Sequence, residues 1–200
     1  MLSEGWFATY PWDAPVVQNP VHKQRAEILM GLMARFPPGK LIDLGCGSGW
    51  FSQLAAERGW QAVAVDARER PWPDLPGVQF RTGDVRDEDL SGYDLILACG
   101  IYYHLTLSDQ IDLIGKCRGI PLILDTHVSL TGDVRFGSYR GSVYDESAES
   151  LFASHGNDQS WWPTLDSLRA MLRDLGGYRT VDVSEPWYLP PDRTFITCIP

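Results

Sequence analysis

Three glycines in one turn, a series of strand-ending aspartates and two histidines are the residues of this chain whose types and spacing suit chemistry. The stretch LIDLGCGSGWFS, residues 41–52, runs from apolar residues through Asp43 into Gly45, Gly47 and Gly49, and then into a helix start. Lacking β-carbons, such a turn lets a ligand lie against the backbone, with a helix N-terminus behind it. Its D-x-G-x-G-x-G spacing departs from the dinucleotide G-x-G-x-x-G fingerprint, because the third glycine comes one residue early. Asp66 and Asp84 follow two further β-type runs, in AVAVDARE and FRTGDVRD. A lone strand-terminal aspartate is often a cap or turn former, so the ordered set carries more weight than any member. His104 and His127 lie in CGIYYHL and DTHVS, and imidazole is suited to taking a proton near neutral pH.

The elements that must position these groups follow from periodicity. VHKQRAEILMGLMARF carries Ile28, Leu29, Leu32, Met33 and Phe36 at helical spacing and stops at Pro37-Pro38-Gly39. Short β-type runs then alternate with helical or loop segments: KLIDL, QAVAV, VQF, YDLILA and PLILD, with WFSQLAAERG as a crossover helix. This is the pattern of a parallel sheet with covered faces. Prolines 71, 73 and 76 leave room for about one helical turn between the second and third strands. TLDSLRAMLRDLGG predicts a helix with Thr164 as N-cap and Gly176-Gly177 as its stop. YRTVDVSE and RTFITCI are joined by a connector too short for a parallel crossover, which implies an antiparallel closing pair. In an open α/β sheet ligands bind beyond the carboxyl ends of the strands, so CGIYYHL and DTHVS face the reactants. If the chain is still extended there, Asp125 and His127 share a face, and Asp125 is available to orient a neighbouring imidazole.

Bulk properties narrow the partners. The 200 residues are expected to form one domain, 1–200, with an aromatic, proline-bearing cover over 1–20 and an insert over 126–163. A net charge of −9 and the lack of a basic patch argue against nucleic acid. Four scattered cysteines fit neither a disulfide framework nor a zinc site and point to a reducing, cytoplasmic setting. No apolar run approaches the roughly 20 residues that span a bilayer. Asp125, His127 and His104 are conceivable metal ligands, but no recognised motif supports them and no metal is expected. Oligomeric state is left open.

The glycine turn, Asp66 in AVAVDARE, Asp84 in FRTGDVRD, the segment YDLILACGIYYHL and the antiparallel closing pair together resemble the class I S-adenosylmethionine-dependent methyltransferases over roughly residues 25–200. More loosely, the head and SWWPTLDSLRAMLRDLGG are similar to the group holding tRNA wobble-uridine carboxymethyltransferases and small-molecule methyltransferases. The resemblance implies a Rossmann-like α/β fold: a mostly parallel seven-stranded sheet with an antiparallel last strand and helices on both faces. It also implies S-adenosylmethionine as cofactor. Backbone at Gly45, Cys46, Gly47 and Gly49 would meet the methionine part, Asp43 its ammonium, and Cys99 and Gly100 would border it. Asp66 would accept both ribose hydroxyls, Asp84 the adenine amino group, Val85 would donate to a ring nitrogen, and Ala67 or Arg68 would lie along the base.

The sulfonium is already activated, so the protein must mainly align an acceptor and, for a hydroxyl, remove its proton. His127 and His104 are the candidate bases. Tyr10, Trp12, Tyr103, Arg135, Tyr139, Arg140, Trp161 and Trp162 are the candidate lining of an acceptor pocket, mixing aromatic faces with donors; the two tryptophans are equally suited to stapling the next helix. The expected function is methyl transfer to a small polar acceptor, at oxygen, with a histidine base. The alternatives are an RNA-base methyl or carboxymethyl transferase and a non-catalytic S-adenosylmethionine-binding subunit.

Overall fold

The computed structural model describes residues 20–69, 72, 74–146, 154–184 and 189–200. The cover segment 1–19, with Tyr10 and Trp12, therefore lies outside the described residues. The chain falls into two compact units, 1–37 and 38–200. The first contributes helix α1 (Pro20–Met33), which ends just before the proline pair at 37 and 38. Pro20 suits a first helical turn because its missing N–H has no intrahelical acceptor there.

The second unit is built on a seven-stranded sheet. In chain order it contains β1 (Lys40–Leu44), α2 (Trp50–Ala56), β2 (Gln61–Asp66), β3 (Val78–Thr82), β4 (Leu95–Cys99) and a 3-10 turn over Tyr102–His104. Then come α3 (Leu107–Lys116), β5 (Leu122–His127), β6 (Val134–Phe136), β7 (Tyr139–Asp145) and β8 (Gln159–Pro163). It closes with α4 (Leu165–Asp174), β9 (Thr180–Ser184) and β10 (Arg193–Ile199). The strand order is β3-β2-β1-β4-β5-β10-β9, with β1 to β5 parallel and β10 antiparallel to both neighbours. The mostly parallel sheet with its antiparallel closing strand is thus the architecture expected from the sequence.

Continuous apolar runs explain the central strands. Every residue of β4 is buried, as is all of β5 except its last residue, as parallel strands covered on both faces require. Ile42, Leu44, Ile96, Leu124 and Ile196 join Leu168, Met171 and Leu172 of α4 in one core. Thr164 caps α4 as expected, its hydroxyl accepting the Ser167 N–H at 3.3 Å. Between β2 and β3, residues 72 and 74–77 carry no helix, so the single turn expected there is not seen among the described residues.

The long segment after β5 holds a finding that the sequence reading did not contain. It folds as a separate three-stranded antiparallel sheet, β6-β7-β8. Gly137-Ser138 turns β6 into β7, a two-residue hairpin whose first position has φ +59°. The sheet is tied to the core by Gln110, fully buried, whose amide nitrogen donates to the carbonyls of Tyr102, Leu105 and Trp161.

Candidate active site

The chain turns between β1 and α2 with Gly45, Gly47 and Gly49 all at positive φ. At Gly49 a β-carbon would overlap the Phe80 ring, whereas at Gly47 it would meet no atom of the described residues within 4 Å. The turn is thus packed on one side and open above Gly47. Asp66, at the end of β2, sits on its rim: Oδ2 accepts the Gly47 N–H and Oδ1 the Arg68 N–H, both at 2.9 Å. Asp43, buried at the end of β1, accepts the Ser52 hydroxyl at 2.6 Å. Cys46 donates its N–H to the Val65 carbonyl, and Gly100 donates to Asp125, bringing the end of β4 against β5. Cys99 and Val85 are buried, and Ala67 is half-buried beside Asp66.

Asp84 is engaged differently from Asp66. Arg86 approaches its two oxygens through its own N–H, Nε and Nη2, at 2.6 to 3.0 Å. These hydrogen bonds hold the Asp84 carboxyl below the usual range. Trp72, which the sequence reading passed over, donates its indole N–H to the Gly47 carbonyl at 3.0 Å while stacking on Phe80.

Across the sheet edge, the two histidines are held in unlike ways. Because β10 runs antiparallel to β5, its first residue, Arg193, lies opposite His127 at the carboxyl edge. Arg193 makes a bidentate pair with the fully buried Asp125 at 2.8 and 3.0 Å and donates Nη1–H to His127 Nε2 at 3.0 Å. Asp192 accepts from His127 Nδ1 at 3.0 Å. Both ring nitrogens are therefore occupied, and burial, with Arg193 adding to it, lowers the His127 pKa. Asp125 pairs with Arg193, and it is Asp192 that orients the His127 imidazole.

His104, in the 3-10 turn after β4, meets Glu146 through Nδ1 at 3.0 Å. A carboxylate only accepts, so Nδ1 carries the hydrogen and Nε2 is the lone-pair nitrogen. Among the described residues nothing bonds that Nε2. Glu146 and Arg193 are 42 and 66 residues from the histidines they touch, and no local pattern announces either pairing.

The aromatic residues divide by strand face. Consecutive residues of a strand point to opposite sides: Trp161 is buried with its ring over Gly141, while Trp162 stacks on His127 at 4.7 Å and on Tyr144 at 4.0 Å. Tyr103 joins this group, edge-on to His127 and Trp162 and under the Arg193 guanidinium. The structure gathers Tyr103, Trp162 and both histidines, and it leaves Trp161, Arg135, Tyr139 and Arg140 out of that cluster. Arg135 and Arg140 turn their Nε–H groups to the carbonyls of Gly137 and Gly132, and Tyr139 packs on the core. Among the described residues no set of three metal-ligating side chains is gathered.

The seven-stranded order with its antiparallel closing strand is the Rossmann-like fold that methyltransferases of known structure share. A methyltransferase-domain family model matches residues 21–117. The chain is 32% identical over 102 residues to a magnesium-protoporphyrin O-methyltransferase of Rhodobacter capsulatus, covering 44% of this chain and 46% of that protein. It is 27% identical over 122 residues to a ubiquinone biosynthesis O-methyltransferase of Xanthomonas campestris pv. campestris, covering 54% and 50%. The matches thus span about half the length of these curated relatives. Among solved structures, the N-terminal domain of EvdMO1, crystallised in the presence of S-adenosylhomocysteine and D-fucose, superposes with a TM-score of 0.72 at 19% identity, covering 88% of this chain and 82% of that one. A Burkholderia thailandensis 1,6-didemethyltoxoflavin N1-methyltransferase gives 0.65 at 17% identity, covering 92% and 79%.

Proposed function

We propose that the protein methylates an oxygen of a small polar acceptor, with His104 as general base and S-adenosylmethionine as methyl donor. The observation that carries this reading is the His104–Glu146 pair at the carboxyl edge, which leaves one imidazole lone pair without a partner among the described residues.

The donor's fit is tested by the open space above Gly47 and by the acceptor groups around it. Backbone at Gly45, Cys46, Gly47 and Gly49, with Asp43, Cys99 and Gly100, would hold the methionine part. Asp66 would take the ribose diol, whose two donors match the two oxygens of a carboxylate. Asp84 and Val85 would border the adenine, with Ala67 or Arg68 along its face; an amino group reaching Asp84 would compete with Arg86. When bound, the sulfonium supplies an electrophilic methyl group.

The chain's own task is alignment and proton removal. Glu146 fixes the His104 tautomer that leaves Nε2 to take the acceptor's proton, a role worth about 10²–10⁴-fold in rate for a well-placed base. His127 cannot take a proton without displacing Arg193, so its part is to present a flat ring beside Trp162 and Tyr103. These faces, with the Tyr103 hydroxyl, suit an acceptor that is itself a flat or ring-shaped molecule carrying hydroxyls. The O-methyltransferase relatives favour oxygen over nitrogen.

Labelled S-adenosylmethionine supplied with metabolite and RNA fractions tests the reading. Label in small hydroxylated metabolites is expected, and His104→Ala should reduce transfer while S-adenosylhomocysteine still binds. Label in RNA, or undiminished transfer by His104→Ala, would overturn it.

A further inference from the structure

Residues 154–157 of the insert touch both halves of the site at once. Arg68, two residues past Asp66, donates from Nη2 to the Ser154 carbonyl at 3.3 Å. Arg86, clamped on Asp84, donates from its own Nη2 to the His155 carbonyl at 3.2 Å. On the other side the Ser154 N–H goes to Glu146 Oε2 at 2.9 Å, and His104 Nδ1 reaches Oε1 at 3.0 Å and Oε2 at 3.2 Å. Asn157 adds a second tie, donating its amide N–H to the His104 carbonyl at 3.1 Å. The Glu146 N–H reaches the Asp158 carbonyl at 2.8 Å, closing the segment on itself. A continuous set of hydrogen bonds thus runs from the two aspartates assigned to the adenosine to the imidazole assigned to the acceptor's proton.

We infer that Arg68 and Arg86 are positioning residues for the base: by holding the carbonyls of Ser154 and His155 they set Glu146 behind His104, so that cofactor binding and base alignment are energetically linked. This rests on the reading of His104 as base and of Asp66 and Asp84 as adenosine contacts. An adenosine at Asp66 and Asp84 acts on the arginines bonded beside them, fixing the turn that carries Arg68 and competing with Arg86 for Asp84, and the same arginines carry the far segment. Linkage is reciprocal, so damage at the Glu146 end must be felt by the cofactor, which Glu146 itself need not touch. His104 Nδ1 reaches both Glu146 oxygens and Ser154 shares one of them; an amide in place of the carboxylate keeps one acceptor and sets a donor against either the imidazole or the Ser154 N–H, so the paired contact is weakened.

Calorimetry with S-adenosylhomocysteine and amide hydrogen exchange test the link. Saturating S-adenosylhomocysteine should slow exchange of the Ser154 N–H about tenfold or more in the unaltered protein, and by much less in an Arg68→Gln, Arg86→Lys double variant. Glu146→Gln should weaken S-adenosylhomocysteine binding by about fivefold, within the usual range of such couplings. Nitrogen NMR of His104 should show the Nδ1–H tautomer rising on S-adenosylhomocysteine addition, a change that a purely structural tie would not produce. Circular dichroism establishes that each variant is folded; if Glu146→Gln is not, the Ser154 exchange measurement on the unaltered protein decides alone. Binding without any change in Ser154 exchange overturns the link but leaves the base reading standing. Absence of S-adenosylhomocysteine binding overturns both, and undiminished transfer by His104→Ala removes the base while the exchange result still reports on the link.

Discussion

A guanidinium can only donate, and at His127 this sets the protonation pattern: Nε2 accepts from Arg193, so Nδ1 carries the hydrogen that goes to Asp192. The folded protein holds this imidazole below its ordinary pKa of 6.5, first by burial and then by Arg193. The unfolded chain therefore binds the proton more readily. Stability from this group is whole above the ordinary value and is lost as pH falls through the lowered one. Melting temperature should fall between about pH 7 and pH 5, and His127→Gln, which carries no titrating ring, should show a flatter decline in the same melts. His104 answers a different measurement. Its Nε2 is the proposed proton acceptor, so His104→Ala should cut methyl transfer by about 10²–10⁴-fold. Affinity for S-adenosylhomocysteine should stay within about twofold, because the Glu146–Ser154 bond survives the change. The glycine turn separates folding from binding in the same way. Gly47→Ala puts a methyl into open space, so its cost to stability is the left-handed backbone alone, about 1–2 kcal/mol. It should nevertheless weaken S-adenosylhomocysteine binding about tenfold or more, since that space is where the ligand is proposed to lie. Gly49→Ala adds a collision with Phe80 and should lose stability beyond that strain.

At the scale of elements, what was legible in the sequence is what short-range chemistry dictates. The alternating glycines, Asp43 and Asp66 near the strand ends, the Thr164 cap and the helical run that follows it are all local signals, and the structure has each where the residues place it. The antiparallel closing strand was legible too, because its connector is too short for a crossover. Arg193 was not, although that same topology delivers it: only in an antiparallel strand does the first residue arrive at the carboxyl edge of β5. The β6-β7-β8 sheet went unread because its strands are short and carry polar and glycine residues on both faces. The signal that could have found it is the Gly137-Ser138 pair between VRF and YRGSVYD, a two-residue turn flanked by β-branched and aromatic residues. Had β8 been read as a strand, the opposite fates of Trp161 and Trp162 would have followed from alternation alone. One element offers a clean stability test. Thr164→Ala removes the hydroxyl that caps α4 and should cost about 1 kcal/mol, a drop of roughly 2–4 °C in a calorimetric melt for a unit of this size.

The molecule as a whole carries a net charge of −9, and the candidate site draws on different parts of the chain: the glycine turn and β2 for the donor, the 3-10 turn, β5 and the small sheet for the proposed acceptor. Bound S-adenosylhomocysteine should act on the folded state only. At 100 times its dissociation constant it adds about 2.7 kcal/mol, which should raise the melting temperature by roughly 5–10 °C; a shift with NAD in place of S-adenosylhomocysteine would contradict the assignment. Gln110 of α3 joins the small sheet to the core, its amide nitrogen reaching the Trp161 carbonyl of β8 as well as the carbonyls of Tyr102 and Leu105. Three carbonyls around one nitrogen leave that amide no alternative orientation, since turning it over would set oxygen against oxygen. Gln110 is therefore a socket of fixed polarity. A strand carbonyl is thus seated beside the 3-10 turn that carries His104 in one sense only, and the small sheet inherits its orientation there from a single side chain.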